Sequence, residues 1–141
     1  MSARSKARKR ALDILYAAEV RGVSPIDILG ERPLAEGAAR TPPKPNPYVA
    51  TLVEGVSAHR VRIDELLRTY SAGWALDRMP AVDRNVLRIG VYELLWCPDV
   101  PDAVVIDEAV TLVRGLSTDE SPAFVNGVLA RILDLRPRLA V

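Results

Sequence analysis

Apolar residues recur along most of this chain at intervals of three and four, which is the spacing of one face of an α-helix. Near the amino terminus the pattern runs from Ala7 to Ala18, and the glycine of VRGVSP is typical of a residue that ends a helix. Three later dipeptides join a helix-capping residue to a proline suited to the first helical position: Ser24-Pro25, Asn46-Pro47 and Ser121-Pro122. Each dipeptide predicts the start of a helix.

The middle of the chain continues the helical pattern. The apolar stripe that begins at Tyr48 is weakened by Gly55 and Ser57 before it resumes, so two short helices are expected there. The stretch VDRNVLRIGVYELLW is apolar on almost every side, which predicts a central, mostly buried helix, and Pro101 opens another. Because no convincing period of two indicates a strand, the sequence predicts an all-α fold of about seven helices with no sheet.

Residues 30–47, GERPLAEGAARTPPKPNP, interrupt this pattern. They contain five prolines and no apolar periodicity, which is typical of a flexible surface connection. The 141 residues, 49% of them hydrophobic, have the size and apolar content of one domain. We therefore expect a single domain over residues 1–141, with a Pro-rich connection between the N-terminal helices and the rest.

The segment RSKARKR, residues 4–10, contains five cations and no anion, whereas the rest of the chain carries 14 cations and 18 anions. These cations fall in the first turns of a predicted helix, where they oppose the positive pole of the helix dipole. The phosphates of a nucleic acid would compensate for that unfavourable placement. A solvated basic end that only aids solubility is the alternative interpretation.

Composition argues against several other classes of protein. One histidine and one cysteine cannot form a zinc cluster, and no GxxxxGK or GxGxxG loop is present to bind a phosphate. Asp13 and Glu19 interrupt the only apolar run near the basic start, and no stretch is long enough to span a membrane. We expect a cytoplasmic protein that is not an enzyme, needs no cofactor or metal, and buries Cys97 as an inert thiol.

Five segments, in order along nearly the whole chain, together resemble the NusB family of transcription antitermination factors: RSKARKRALDILY, LVEGV, RMPAVDRNVLRIGVYEL, VPDAVVIDEAVTLV and FVNGVL. This resemblance implies two small helical subdomains and an adaptor role. NusB-like proteins bind the boxA element of ribosomal RNA leader transcripts together with the ribosomal protein NusE, and the pair joins an RNA polymerase antitermination complex.

The resemblance also assigns RNA-binding residues. The basic segment corresponds to the RNA-binding segment of the family through Arg4, Lys6, Arg8, Lys9 and Arg10. In FVNGVL, Phe124 could stack on a base or pack against a neighbouring helix, and Asn126 could contact RNA, cap or pack. Family members often have a basic residue before this phenylalanine, whereas this chain has Ala123, so weaker RNA affinity is expected at this end.

Protein contacts are expected at Tyr16 and Asp83, which match partner-binding positions of the family. Tyr16 could instead be a partly buried flanking residue, and Asp83 a first-turn carboxylate that favours the helix dipole. Arg88, Glu93 and Glu108 lie among apolar residues, so we predict that Arg88 pairs internally with one of the two glutamates.

Two functions stay open at this level. One is an RNA-binding antitermination adaptor, and the other is a helical scaffold that binds proteins without specific RNA recognition. Because an adaptor exposes apolar area when its partner is absent, a homodimer in isolation is a further expectation.

Overall fold

The computed structural model describes residues 2–31, 46–71 and 73–140. Within these ranges it contains seven α-helices, a short 3-10 turn and no β-strand. The helices are α1 (Ala3–Arg21), α2 (Pro25–Leu29), α3 (Pro47–Ala58), α4 (Arg60–Tyr70), α5 (Ala81–Trp96), α6 (Asp102–Leu116) and α7 (Ser121–Leu135). The predicted all-α fold is confirmed.

Capping residues explain most of the helix ends. Gly22 ends α1 with φ +67°, a left-handed conformation that favours glycine. Ser24 caps α2, and the Asn46 side chain accepts a hydrogen bond from the Tyr48 N–H at the start of α3, as their sequence predicts. Ser121 differs, because it is the first residue of α7 rather than its cap.

The helices form two groups around one shared core. Helices α1, α2 and α3 pack on one another, as do α4, α5, α6 and α7, and both α1 and α3 also contact α5. Ten residues of α5 are buried, so it is the central helix that its pattern predicted. Cys97 follows it and is buried as expected, and this burial raises the pKa of its thiol.

The predicted Pro-rich connection lies almost entirely outside the described residues, which omit residues 32–45. At its two ends, Gly30 follows α2 and Pro47 begins α3. Among the residues that are described, no helix combines the length and the apolarity needed to cross a membrane.

The break between α3 and α4 occurs at His59, which confirms two short helices. Gly55 is needed for a different reason from the one that the sequence indicated. A Cβ atom built on Gly55 would lie 2.1 Å from Cζ of Tyr92, a residue of α5. The glycine therefore allows the Tyr92 ring to lie directly against the backbone of α3.

Replacing Gly55 with alanine should lower the free energy of unfolding by about 1–3 kcal/mol, because the Tyr92 ring must move to accommodate the new methyl group. Urea denaturation would measure the loss. Gly127→Ala is the matched control, since a Cβ there meets no atom within 4 Å and alanine favours a helix interior. Equal effects of the two substitutions would contradict this explanation of Gly55.

Candidate nucleic-acid interface

The basic segment forms the first two turns of α1, which the Ser2 side chain caps by accepting a hydrogen bond from the Ser5 N–H at 3.1 Å. Lys6 and Arg10 are exposed and form no ion pair with any residue that the structure describes. They are four residues apart and therefore lie on the same side of the helix. The first turn of α1 has no acidic residue of its own, and the anions that contact it, Asp99 and Glu108, bond to Arg4 and Ser5 rather than to these two cations.

Two more cations of the segment are paired at the surface. The Arg4 guanidinium lies 3.1 Å from the Asp99 carboxylate and 4.5 Å from the centroid of the Tyr48 ring. Lys9 Nζ lies 2.6 Å from the Asp13 carboxylate. Exposed pairs of this kind contribute roughly 0–1 kcal/mol, so a phosphate can compete for both cations.

The fifth cation, Arg8, corrects the prediction made from the sequence. Its side chain is only 3% exposed, and its Nε and Nη2 each donate to a different oxygen of Glu93 at 2.9 Å. A phosphate in solvent cannot reach it. Its position four residues before Leu12 and seven before Leu15, both buried, is the signal that placed it on the core side of α1.

Glu93 and Glu108 form internal polar contacts, as expected. Their partners lie on α1 and α3, and Arg88 is not one of them. The Tyr48 hydroxyl donates to Glu93 at 2.5 Å, and Ser5 donates to Glu108 at the same distance. Burial and the adjacent Glu93 carboxylate raise the pKa of Tyr48 above its usual value, so its hydroxyl stays protonated and donates.

Arg88 is buried in an ion-pair network, as predicted, but its partners differ from the predicted ones. Its guanidinium donates to both oxygens of Asp64 at 2.8 and 3.1 Å, and to Glu19 at 2.6 Å. Arg84 also donates twice to Glu19, at 2.9 and 2.6 Å. The network therefore joins α5 to α4 and α1 instead of joining the two C-terminal helices.

The second RNA candidate lies at the start of α7. Phe124 is partly buried against the core, and its ring centroid lies 4.9 Å from that of Trp74 at an interplanar angle of 55°. Phe124 therefore packs against the core while part of its side chain stays accessible to solvent. Asn126 is exposed. The sequence reasoning missed Trp74, although a large aromatic in SAGWALDR, the stretch between two predicted helices, is itself a signal of a contact surface.

Of the two residues predicted to contact a protein partner, one is exposed and the other is buried. Tyr16 is 44% exposed, so its ring is accessible to a partner. Asp83 is fully buried, and it accepts hydrogen bonds from Ser117 at 2.6 Å and Ser121 at 2.8 Å. The prediction of a partner contact at Asp83 is therefore wrong, because the carboxylate fastens the α6–α7 junction to the first turn of α5.

These contacts also show the extent of the candidate interface. Arg4 contacts Asp99, just beyond the C-terminal end of α5, whereas Phe124 follows Ser121, which contacts the N-terminal end of α5. The 16 residues of α5 span about 24 Å at 1.5 Å per residue. The basic segment and Phe124 therefore lie near opposite ends of α5.

Known proteins resemble this chain over nearly its whole length. A transcription antitermination protein NusB from Nocardioides sp. (strain JS614) is 63% identical over 140 residues, covering 99% of this chain and 100% of the relative. A protein of the same name from Thermobifida fusca is 55% identical over 138 residues, covering 98% of this chain and 94% of the relative.

Solved structures share the fold. T. maritima NusB superimposes with a TM-score of 0.81 at 33% identity, covering 94% of this chain and 92% of the other. A structure of the antitermination factors NusB and NusE in complex with dsRNA matches with a TM-score of 0.77 at 30% identity, covering 93% and 96%. The family model of the NusB family matches residues 5–134. With its fold, sequence and motifs in agreement, this chain belongs to the NusB family.

Proposed function

We propose that this protein is a transcription antitermination factor that binds boxA-type ribosomal RNA leader sequence together with NusE and joins an RNA polymerase antitermination complex. Relatives at 63% and 55% identity are named as transcription antitermination proteins. The solved relative in complex with NusE and dsRNA supports both kinds of partner. The observation that carries the proposal is the pair Lys6 and Arg10, two exposed cations on one side of α1 that form no ion pair with a described residue.

RNA binding at the basic segment is electrostatic in this proposal. Lys6 and Arg10 contact phosphates directly, while Arg4 and Lys9 exchange the Asp99 and Asp13 carboxylates for phosphates. Each contact releases counterions from the strand, and this release drives the affinity. Phosphate contacts do not read sequence, so preference for boxA must come from contacts with bases.

Phe124 and Asn126 supply base contacts at the other region. The accessible part of the Phe124 ring stacks on an unpaired base, which is the usual way in which proteins recognise single-stranded RNA. The Asn126 amide both donates and accepts, so it can pair with a base edge.

An exposed apolar patch supports a protein partner. It consists of four residues on α1, on α2 and between them, with exposed fractions of 38 to 70%: Tyr16, Val20, Val23 and Ile26. Tyr16 and Val20 are one helical turn apart, so they present one face to a partner. We assign this patch to NusE. A second copy of the chain could cover it in isolation, and light scattering without NusE would detect that homodimer.

The experiment that tests the RNA site is a salt series with a boxA-containing RNA. Four phosphate contacts predict that the logarithm of affinity falls with the logarithm of salt concentration with a slope of about −2.8, taking roughly 0.7 per contact on a single strand. Changing Lys6 and Arg10 to alanine should reduce that magnitude by about 1.4 and weaken binding about tenfold at 0.15 M salt. Circular dichroism checks that helicity is retained.

The matched control replaces Arg21 and Arg138, which are exposed cations outside the basic segment, with alanine. This double variant has the same net charge and should bind RNA as the wild type does. If the Lys6 and Arg10 variant also keeps the wild-type slope and affinity, the basic segment is not the phosphate site. Equal affinity for a scrambled RNA, with NusE present, would contradict boxA recognition.

The exposed patch around Tyr16 also favours the second candidate function, a scaffold that binds proteins only. In that case NusE would bind the wild type, Tyr16→Ala would weaken this complex, and no saturable RNA binding would appear at any salt concentration. The same two titrations therefore separate the candidates.

A further inference from the structure

An exposed indole lies beside the proposed base-stacking residue Phe124. Trp74 is 38% exposed, and its ring centroid is 4.9 Å from that of Phe124. Its Nε1 donates to no other residue that the structure describes. We propose that Trp74 is a second base-stacking residue, which extends the RNA site beyond Phe124 by one unpaired nucleotide. This inference rests on the proposed RNA-binding function.

Two hydrogen bonds link Trp74 to Ser71 at the end of α4. The Trp74 N–H donates to the Ser71 carbonyl at 3.0 Å, and the buried Ser71 hydroxyl donates back to the Trp74 carbonyl at 2.9 Å. Gly73, with φ +84°, provides a backbone conformation that other residues adopt only with strain. These two hydrogen bonds restrict the backbone of Trp74, which reduces the entropy lost when a base stacks on its indole.

The relative orientation of the two rings suits successive bases of a strand that bends. At 55° the Trp74 and Phe124 rings are far from parallel, so one base cannot lie flat on both. Each ring can instead receive its own base. Tryptophan offers a large aromatic face, and stacking of this kind tolerates any base sequence.

Charge distribution favours an anionic ligand such as RNA over a basic or neutral protein at this position. Seven residues after Phe124 on α7 lies Arg131, which is exposed, lies 5.7 Å from the centroid of the Tyr70 ring and forms no ion pair with a described residue. Two helical turns separate Phe124 from Arg131, roughly 10 Å, so the phosphate of a nucleotide next to Trp74 can reach this cation.

The same charges indicate the direction of the strand. Asp119 and Glu120 immediately precede α7 and are exposed, so they repel a phosphate on that side of Phe124. The strand should therefore leave Phe124 towards Trp74 and Arg131.

Two affinity variants and a fluorescence measurement test the proposal. Trp74→Ala should weaken binding to a boxA-containing RNA by about 5- to 150-fold, because stacking on an aromatic ring accounts for roughly that factor per base. Trp74→Phe should keep most of the affinity, since a ring remains. The salt slope should stay nearly the same in Trp74→Phe, because stacking releases few ions, and should fall by at most about 0.7 in Trp74→Ala, where the phosphate contact with Arg131 is also weakened.

The chain contains two tryptophans, which allows a direct readout at Trp74. Trp96 stacks on His59 at a centroid distance of 4.0 Å, at the junction of α3 and α4. In Trp96→Phe, which leaves Trp74 as the only indole, RNA should quench the tryptophan emission. In Trp74→Phe, which leaves only Trp96, RNA should not change it.

The possible outcomes separate this proposal from the proposed function. If Trp74→Ala binds RNA as the wild type does while Phe124→Ala binds weakly, RNA binding stands and the role of Trp74 is overturned. If Trp74→Ala weakens only the complex with NusE, Trp74 is a protein contact and the proposal fails. If the wild type binds no RNA, both fail. Unfolding curves check that each variant is fully folded under the conditions of the binding measurement.

Discussion

Replacing Arg8 with methionine is expected to lower the free energy of unfolding by about 3–5 kcal/mol, the largest stability loss that we predict for this protein. The substitution leaves the Glu93 carboxylate, which is 1% exposed, without the two hydrogen bonds that neutralise it. A buried charge without its partner costs far more than the intact pair contributes. Urea denaturation at pH 7 would measure the loss, and Arg10→Met, at an exposed position, should change stability little.

A second variant distinguishes the pair from simple packing. Replacing Glu93 with methionine in the Arg8→Met background removes the unpaired charge, so part of the lost stability should return. The recovery is incomplete because the buried Tyr48 hydroxyl then lacks its acceptor. RNA binding of the folded Arg8→Met fraction should keep the wild-type salt slope. A reduced slope with unchanged stability would instead mean that Arg8 is a phosphate contact.

The contrast between Arg8 and its neighbours explains what local sequence can predict. The helices, most of their capping residues and the buried central helix follow from spacing and from proline and glycine, which act over a few residues. The positive charge of RSKARKR can also be read directly from the sequence. Which of its cations reach solvent depends on the core face of α1, and Leu12 and Leu15 could have assigned Arg8 to that face.

Other features of the site depend on residues far apart in the chain. The partner of Arg8 lies 85 residues away, and those of Arg88 lie 24 and 69 residues away. No local pattern encodes which of several carboxylates a buried arginine meets. The pairing of Trp74 with Phe124, 50 positions later, is of the same kind. Sequence therefore indicated the residue types of the site but not their partners.

The buried arginines Arg8 and Arg88 form ion pairs that connect both ends of α1 to α5. Arg8, on the second turn, pairs with Glu93 near the C-terminal end of α5, while Glu19, on the last turns, pairs with Arg84 and Arg88 nearer its N-terminal end. The two helices are thus antiparallel and fixed in register. This arrangement fixes the position of the exposed side of α1, with Lys6 and Arg10, relative to α5. The buried, ion-paired side of α1 and the side with the exposed cations Lys6 and Arg10 are opposite faces of one helix.

The ion pairs of Glu19 with Arg84 and Arg88 predict that the protein loses stability in acid. Burial alone would raise the pKa of Glu19, but hydrogen bonds and charge from Arg84 and Arg88 outweigh it and lower this pKa to about 2. At Asp64 too, burial would raise the pKa, but hydrogen bonds and charge from Arg88 and Arg60 outweigh it and lower this pKa. Because the unfolded chain binds the Glu19 proton at higher pH, the network stabilises the protein fully above about pH 4.5 and loses this contribution as pH falls towards 2.

We therefore expect the free energy of unfolding to fall by about 3 kcal/mol through Glu19 alone between pH 4.5 and 2, since one pKa unit corresponds to about 1.4 kcal/mol. Urea denaturation at a series of pH values would measure it. Glu19→Gln should be less stable than the wild type at pH 7 and should lose about 3 kcal/mol less on acidification. The wild-type loss should persist in 1 M salt, because partly buried pairs are screened much less than exposed ones. Equal acid sensitivity of Glu19→Gln and the wild type would show that Glu19 titrates alike in the folded and unfolded chains, contrary to the network described here.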